Sequence, residues 1–554
     1  MSPHPTRNGQ DSPRRRSRTA ELDNLSVAAR LDAFAALLDL AGSSPHAARA
    51  YRRAAELIRG LATPVVDLVR AGQVRELRGI GSGIEARLAE LVETGRIAEL
   101  DELEKEVRPE LVGFGRLLGL SAKRSVEIGE ALGISSAAEL RAAVEEGRLQ
   151  SVPGIGPKTE AKLRAALAAA ARPRPRRGLT LNRARALVDG IASALGGIAA
   201  GDPRRWADSS ERLAIVTSDN NALDRFTQLP QIVAVTDAGV GVTVDGVPVE
   251  LVIAASDAFG TALLRATGSD VYVEALEPLP GAPTEEEVYA RLGVPFCPPE
   301  LREEAHRRAP PPLVEVADIR GDLHCHTTWS DGRASILEMA EGAIARGYEY
   351  LAICDHTPSV GAVPGLSAGD VLRQGEEIAA ANEALAPFRV LCGIECDILR
   401  DGSLDLPDSV LAELDWVQAS VHGGQRMPAR ELTARTLEAM RNPCVRCLSH
   451  PKGRIINHRP ENALDLDRAF EVALETRVAL EVNGLPDRLD LRGEHVRRAV
   501  EAGVKIVAST DAHSVRGLAN MELAVHTARR GWAAAADVLN TRPLERIVGS
   551  DRSM

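Results

Sequence analysis

The chain lacks any run of about 18 or more apolar residues, which excludes a membrane-spanning helix. It lacks an apolar core in its opening stretch, MSPHPTRNGQDSPRRRSR, so no secretory signal is read there. Cysteine is missing from the N-terminal half. The seven thiols, Cys297, Cys325, Cys354, Cys392, Cys396, Cys444 and Cys447, fall later and at irregular spacing. An odd count without a framework predicts reduced thiols, and with them a cytoplasmic, nucleoid-associated protein. An excess of positive charge is missing too. With 67 Lys and Arg against 78 Asp and Glu, the net charge of -11 excludes a uniformly basic nucleic-acid coat. Local basic contacts survive that argument, because arginine clusters at 14–18 and 172–177.

What is present is a long chain of 554 residues, 44% hydrophobic and 26% charged, enough for about three or four domains. Residues 1–19, rich in Ser, Pro and Arg, are expected to be a disordered basic tail. Residues 20–170 read as helices with short glycine-containing breaks, and alternating prolines make 171–178 a linker. Residues 179–310 mix a helical stretch with strand-like runs such as LAIVT and VELVIAA, predicting a small α+β domain. From 318 to 550 apolar runs alternate with amphipathic helical stretches. Seven such repeats predict a parallel (βα)7 barrel, whose functional side chains belong at the C-terminal ends of the strands.

Polar residues gather at those strand ends. GDLHCHTTWSDG supplies His324, His326 and Asp331, and CDH, GIECD, SVH, SHP and STDAH supply His356, Glu395, His422, His450, Asp511 and His513. Residues i and i+2 of a strand point the same way, so His324 with His326, and Asp511 with His513, can meet one ion. Half of the chain's 12 histidines lie at strand ends, which makes chance placement a poor account. Nine donors exceed one coordination sphere and imply two or three divalent ions; imidazole with carboxylate suits Mn²⁺ or Zn²⁺, with Fe²⁺ as a third choice. Glu395 is the natural bridging carboxylate. The CxxC of Cys444 and Cys447 has no second pair and runs into an apolar strand, so buried thiols are expected.

These motifs resemble those of the PHP (polymerase and histidinol phosphatase) phosphoesterase family. The resemblance implies a distorted seven-stranded βα barrel with a trinuclear metal site. All nine ligand positions have a matching residue, and Glu395 and Asp511 would serve catalysis, with Lys452 and Arg454, just past His450, as candidates for contacting the substrate phosphate against the plainer reading of a solvated loop.

Two N-terminal segments, LRGIGSGIEARL and VPGIGPKTEAKL, read as helix, Gly-apolar-Gly, helix. Gly79, Gly81, Gly83, Gly154 and Gly156, with Lys158, would let backbone N–H groups approach an anion at a helix N-terminus. This resembles the helix-hairpin-helix, and the resemblance implies a grip on DNA phosphates that does not read sequence. A third copy, LGLSAK, is degenerate.

The order of helix-hairpin-helix region, small α+β region and PHP barrel resembles the bacterial family X DNA polymerases. The middle region departs from them. The family pattern has Gly-Ser, two basic residues, two Asp at i and i+2, and a later third Asp. Here Gly201, Arg204 and Arg205 are kept, Asp202 stands at the Ser position, Arg212 and Ala214 replace the aspartates, and Glu250 takes the third position. A guanidinium and a methyl cannot hold Mg²⁺, so the polymerase centre is predicted inactive. The lysine of the family's lyase activity corresponds to Arg87, which cannot form a Schiff base. The expected function is a metal-dependent 3′-5′ exonuclease on DNA, with abasic sites or 3′ ends as further targets in repair. The alternatives are a small-molecule phosphomonoesterase, a DNA-binding scaffold or an active gap-filling polymerase. A monomer is expected, with no membrane partner.

Overall fold

The computed structural model describes residues 22–548 apart from 42–44, 60, 62, 78, 169–177, 237–238, 307 and 362. The basic tail and the Pro/Arg linker lie outside the described residues, save Gly178. The chain divides into two compact units. One contains the residues before 169 together with Leu223–Pro248, and the other those from 178 to 222 and from 249 to 548.

The first unit is helical, from Asn24–Leu40 through Pro157–Ala168. Its helix ends follow from local chemistry. The Ser121 side chain caps Ala122–Leu132, which Gly133 closes at φ 67°, and Ser136 with Glu139 forms a capping box on Ala137–Glu145. The strand pair Ala234–Val235 and Val240–Val242 belongs to this unit because its apolar side chains are needed there. Ala234 and Val242 pack with Leu111, Phe114 and Ile128, while Val244 joins Phe34 and Leu88.

In the second unit the small α+β part packs helix Leu181–Leu195 against two strands: Ile198–Gly201 pairs antiparallel with Leu213–Thr217. The latter pairs parallel with Pro248–Ile253, setting Ala214 opposite Glu250.

The barrel strands are β1 (Gly321–Cys325), β2 (Tyr350–Ile353), β3 (Arg389–Asp397), β4 (Trp416–Ser420), β5 (Cys447–Leu448), β6 (Ala479–Asn483) and β7 (Ile506–Ser509). They pair parallel in sequence order, and a bridge from Cys325 to Ala512 brings the ends of the sheet together, so the seven strands nearly close. Alternation divides the side chains between two layers. Cys325, Ile353, Ile394 and Val417 join the core shared with the outer helices, while Leu323, Cys354, Leu391, Cys447 and Val507 fill the inside. Cys447 is buried, and burial pushes its thiol well up from the ordinary value, whereas Cys444 is only half-buried.

Candidate metal centre and nucleic-acid surface

All nine expected donors meet at one end of the barrel. His324 and His326 leave β1 on the same side, and their Nε2 atoms stand 3.1 Å apart. Two imidazole nitrogens at that distance suit a shared cation. Asp511 adds Oδ1 at 3.1 Å from His326 Nε2. A second group joins His326, Asp331, His356 and His513, with His513 Nε2 at 3.2 Å from Asp331 Oδ2. Glu395 stands among the rest. Its Oε1 lies 2.8 Å from His450 Nε2 and 3.5 Å from His422 Nε2, and its Oε2 lies 2.9 Å from His356 Nδ1 and 3.6 Å from His324 Nε2.

The backbone is bent to make this possible. His450 and Asp511, each just past a strand, have φ of 26° and 51°, conformations unfavourable to residues with a Cβ. That turn, made at the strand end, aims both side chains inward.

Buried polar atoms test whether cations fit. Glu395 Oε2 is buried and has no hydrogen bond of acceptable geometry, although imidazoles surround it. Burial opposes the charge of Glu395, but His422, His356 and His324 outweigh it and hold the carboxyl well below its ordinary range. Burial and the neighbouring His356 bring His326 down to about 3, leaving it neutral as a ligand must be. Burial likewise opposes charge on His513, yet the Asp331 and Asp511 carboxylates raise it to about 9. Six imidazoles and three carboxylates in one buried nest suit two or more divalent cations, whose binding would displace the proton that Asp331 and Asp511 favour on His513. The donors do not select which metal.

A further layer of residues holds the donors, and the sequence reading missed it. Glu481 on β6 accepts from His324 Nδ1 at 2.6 Å, from Ser449 Oγ at 2.9 Å and from His450 N at 2.6 Å. It thereby leaves His324 Nε2 facing the site. Asp397 accepts from the His422 amide at 2.9 Å, and Asp355 from the Thr327 amide at 2.8 Å. A lone acid inside the apolar run VALEVN was the available signal for Glu481.

The two cations expected to hold phosphate are already bonded elsewhere. Lys452 is buried, and its Nζ donates to Leu464 O at 2.9 Å. Arg454 is turned to the α+β part, pairing with Asp208 at 2.7 Å. Arg488 does face the donors, with Nε 3.9 Å from Asp511 Oδ2, and spacing along the strand ends did not point to it because it lies five residues beyond β6.

In the α+β part, Asp202 accepts from the amides of Glu211 and Arg212 at 2.6 and 2.7 Å. Arg212 lies 3.6 Å from Glu250 and 3.1 Å from Asp270, so these carboxylates are paired with a guanidinium. Arg204 and Arg205 are engaged by Glu285 and Asp202.

In the helical unit, Gly79 and Gly154 take φ of 104° and 79°, where a side chain is strained. Ile80 and Ile155 anchor each turn in the core, and Gly81 caps Ser82–Thr94 without any side chain. A Cβ at Gly79, Gly81 or Gly156 would meet nothing within 4 Å, and Gly83 only the Tyr51 hydroxyl at 4.0 Å. These helix starts are open, and Lys158 is exposed beside the second. The degenerate third copy keeps the geometry, with Gly119 at φ 95° and Leu120 buried. Ser121, standing where the others have glycine, accepts from the Arg124 amide at 3.2 Å and so fills its own helix start.

A parallel seven-stranded barrel with this donor cluster, joined to helical hairpins, defines a PHP phosphoesterase-type barrel carried with a helix-hairpin-helix module. Comparison with known proteins agrees: the helix-hairpin-helix domain model matches residues 22–97 and the PHP domain model residues 322–484. The DNA polymerase/3′-5′ exonuclease PolX of Bacillus subtilis (strain 168) is 35% identical over 93% of this chain and 97% of its own. The chain belongs to the bacterial family X DNA polymerases with a C-terminal PHP domain. A probable phosphatase of Acetivibrio thermocellus is 31% identical over 35% of this chain and 78% of its own length. Another probable phosphatase, from Thermoanaerobacter sp. (strain X514), is 28% identical over 40% and 89% respectively.

Proposed function

We propose that this protein is a metal-dependent phosphodiesterase that removes nucleotides from DNA 3′ ends and does not polymerise. The observation that carries the reading is the convergence of nine buried or half-buried donors at one end of the barrel, five of the imidazoles facing Glu395, in a chain that also presents two open hairpin turns. His324, His326, Glu395 and Asp511 would hold one cation, Asp331, His356 and His513 another, and Glu395 with His422 and His450 a third. Divalent ions bound there would supply Lewis acidity, an activated water and charge neutralisation on the leaving oxygen. The chain's own residues bind and orient. Arg488 is placed to contact a phosphoryl oxygen beside Asp511, and the hairpin amides with Lys158 would bind DNA phosphates. Abasic or 3′-blocked ends are further substrates of the same centre, which suits a role in repair.

The inactive polymerase reading rests on charge. Arg212 occupies a metal-ligand position and neutralises Glu250, and Ala214 offers no donor. Lyase chemistry is absent for a related reason: Arg87, paired with Glu99 and Glu90, stays protonated.

The test is digestion of 5′-labelled single-stranded DNA with Mn²⁺. Stepwise shortening, abolished by His324→Ala, is expected. Hydrolysis of p-nitrophenyl phosphate with DNA left intact would instead favour the small-molecule phosphatase reading, and loss of neither activity on His324→Ala would overturn the site.

A further inference from the structure

The segment that in the family carries the nucleotidyl-transfer signature, Gly201–Ser210 here, is not idle in this chain. Trp206, at φ 57°, is sandwiched between two side chains. The Arg185 guanidinium lies 3.8 Å from its ring centre, and the His526 ring stacks on the other face at 3.5 Å with planes 1° apart. Two residues on, Asp208 has only 14% of its side chain exposed, and both its oxygens are taken by arginines of the barrel. Oδ1 accepts from Arg530 at 2.5 Å and Oδ2 from Arg454 at 2.7 Å.

Arg454 is the member of this group that reaches the metal centre. Four residues past His450, it donates from Nε to Arg488 O at 2.7 Å and from Nη2 to Leu489 O. Those carbonyls belong to the loop that follows β6 and carries the Arg488 side chain toward Asp511. Leu489 is itself fully buried with Leu181, Trp206 and Leu523. The loop is tied at its base, where Asn483 N donates to Asp490 O at 2.7 Å and Leu491 N to Glu481 O at 3.1 Å. Nearer its tip it is held by the Ile456 amide on Asp487 O at 2.7 Å and by the Arg454 clamp. A guanidinium that must satisfy two carbonyls and a carboxylate at once has one orientation, and Asp208 fixes it.

We propose that Asp208 is a positioning residue for the barrel's hydrolytic centre. Through Arg454 it locks the 484–491 loop and so sets Arg488 against the substrate phosphate. The inference rests on the hydrolase reading above. It means that the segment matching the nucleotidyl-transfer signature serves here as a brace behind the loop that carries Arg488.

The test uses full-length protein and a double-mutant cycle with bis(p-nitrophenyl) phosphate and Mn²⁺, a probe too small to need the hairpins. Asp208→Asn is expected to lower kcat/KM about tenfold, mostly through KM, and to add no more than about twofold in an Arg488→Ala background. Arg530→Ala removes the other partner of the same carboxylate and leaves the clamp, so its activity stays within about twofold of wild type. Amide hydrogen exchange supplies a readout independent of turnover. Peptides covering 484–491 should exchange faster in Asp208→Asn and not in Arg530→Ala. Should Asp208→Asn fail to fold, Arg454→Lys, which keeps the charge pair and loses the two-carbonyl clamp, takes its place in both arms. Wild-type kinetics with unchanged exchange, or a loss that adds fully to that of Arg488→Ala, would overturn the proposal. Absence of diester hydrolysis in wild type would sink the hydrolase reading alone, since the exchange arm still reads the clamp.

Discussion

Glu395 is the residue on which the proposed centre turns. Each of its oxygens faces at least two imidazoles, so a change from carboxylate to amide keeps the volume and removes the charge that balances the cations. Glu395→Gln is expected to lose bound metal on gel filtration, measured by elemental analysis, and to lose at least about a hundredfold in diester hydrolysis. Glu481 acts one step further out, through the hydrogen bond that fixes His324. Glu481→Gln should weaken metal affinity by about 10- to 100-fold, read by chelator competition, while the enzyme at saturating metal recovers most of its rate. Unchanged affinity would mean that the Glu481 contact only fills the barrel.

Among the elements, the two open hairpins and the filled third one are expected to contribute unequally to DNA binding. Lys158→Ala should flatten the dependence of log K on log salt by about one phosphate contact, a slope change of roughly 0.7–0.9. Lys123→Ala, beside the filled hairpin and paired with Glu127, should leave the slope where it was. Fluorescence anisotropy across a salt series separates the two. Much of this scale could be read from the sequence. Periodicity marked the helices and the barrel, and the i, i+2 spacing of His324 and His326 placed both rings on one side of β1. What escaped were contacts between residues far apart in the chain. Lys452 and Arg454 follow a ligand closely enough to suggest phosphate binding, yet Arg454 finds its partner 246 residues away in Asp208. Arg488 escaped for the converse reason, since the loop that brings it to Asp511 is shaped by Arg454 and Leu489 rather than by its own spacing. Ser121 was visible as a departure from glycine, but its effect on the helix start depends on which way the hydroxyl turns.

For the molecule as a whole, acid sensitivity is built into the unit that holds the barrel. Glu300, buried, accepts from Arg529 at 2.8 Å and lies 3.0 Å from His526 Nδ1. Burial alone would raise its pKa, but His526 and Arg529 bring it down to about 2. A depressed carboxyl pKa stabilises the fold fully above the unfolded value and stops doing so as pH falls through the folded one. The shift corresponds to about 3 kcal/mol, present at pH 7 and lost between about pH 4.5 and 2. Glu300→Gln should therefore be less stable than wild type in urea at pH 7, with the gap closing below about pH 4. A gap that stays constant with pH would place the effect in packing.

The central claim, that this chain cuts DNA with its barrel and no longer extends it, is tested most directly on one gel. A 5′-labelled primer annealed to a gapped template is incubated with the protein, Mn²⁺ and all four dNTPs. The account predicts a primer that shortens, that stays intact with His324→Ala, and that grows with neither protein. Extension of the primer would contradict it, because Arg212 and Ala214 would then have failed to silence the site.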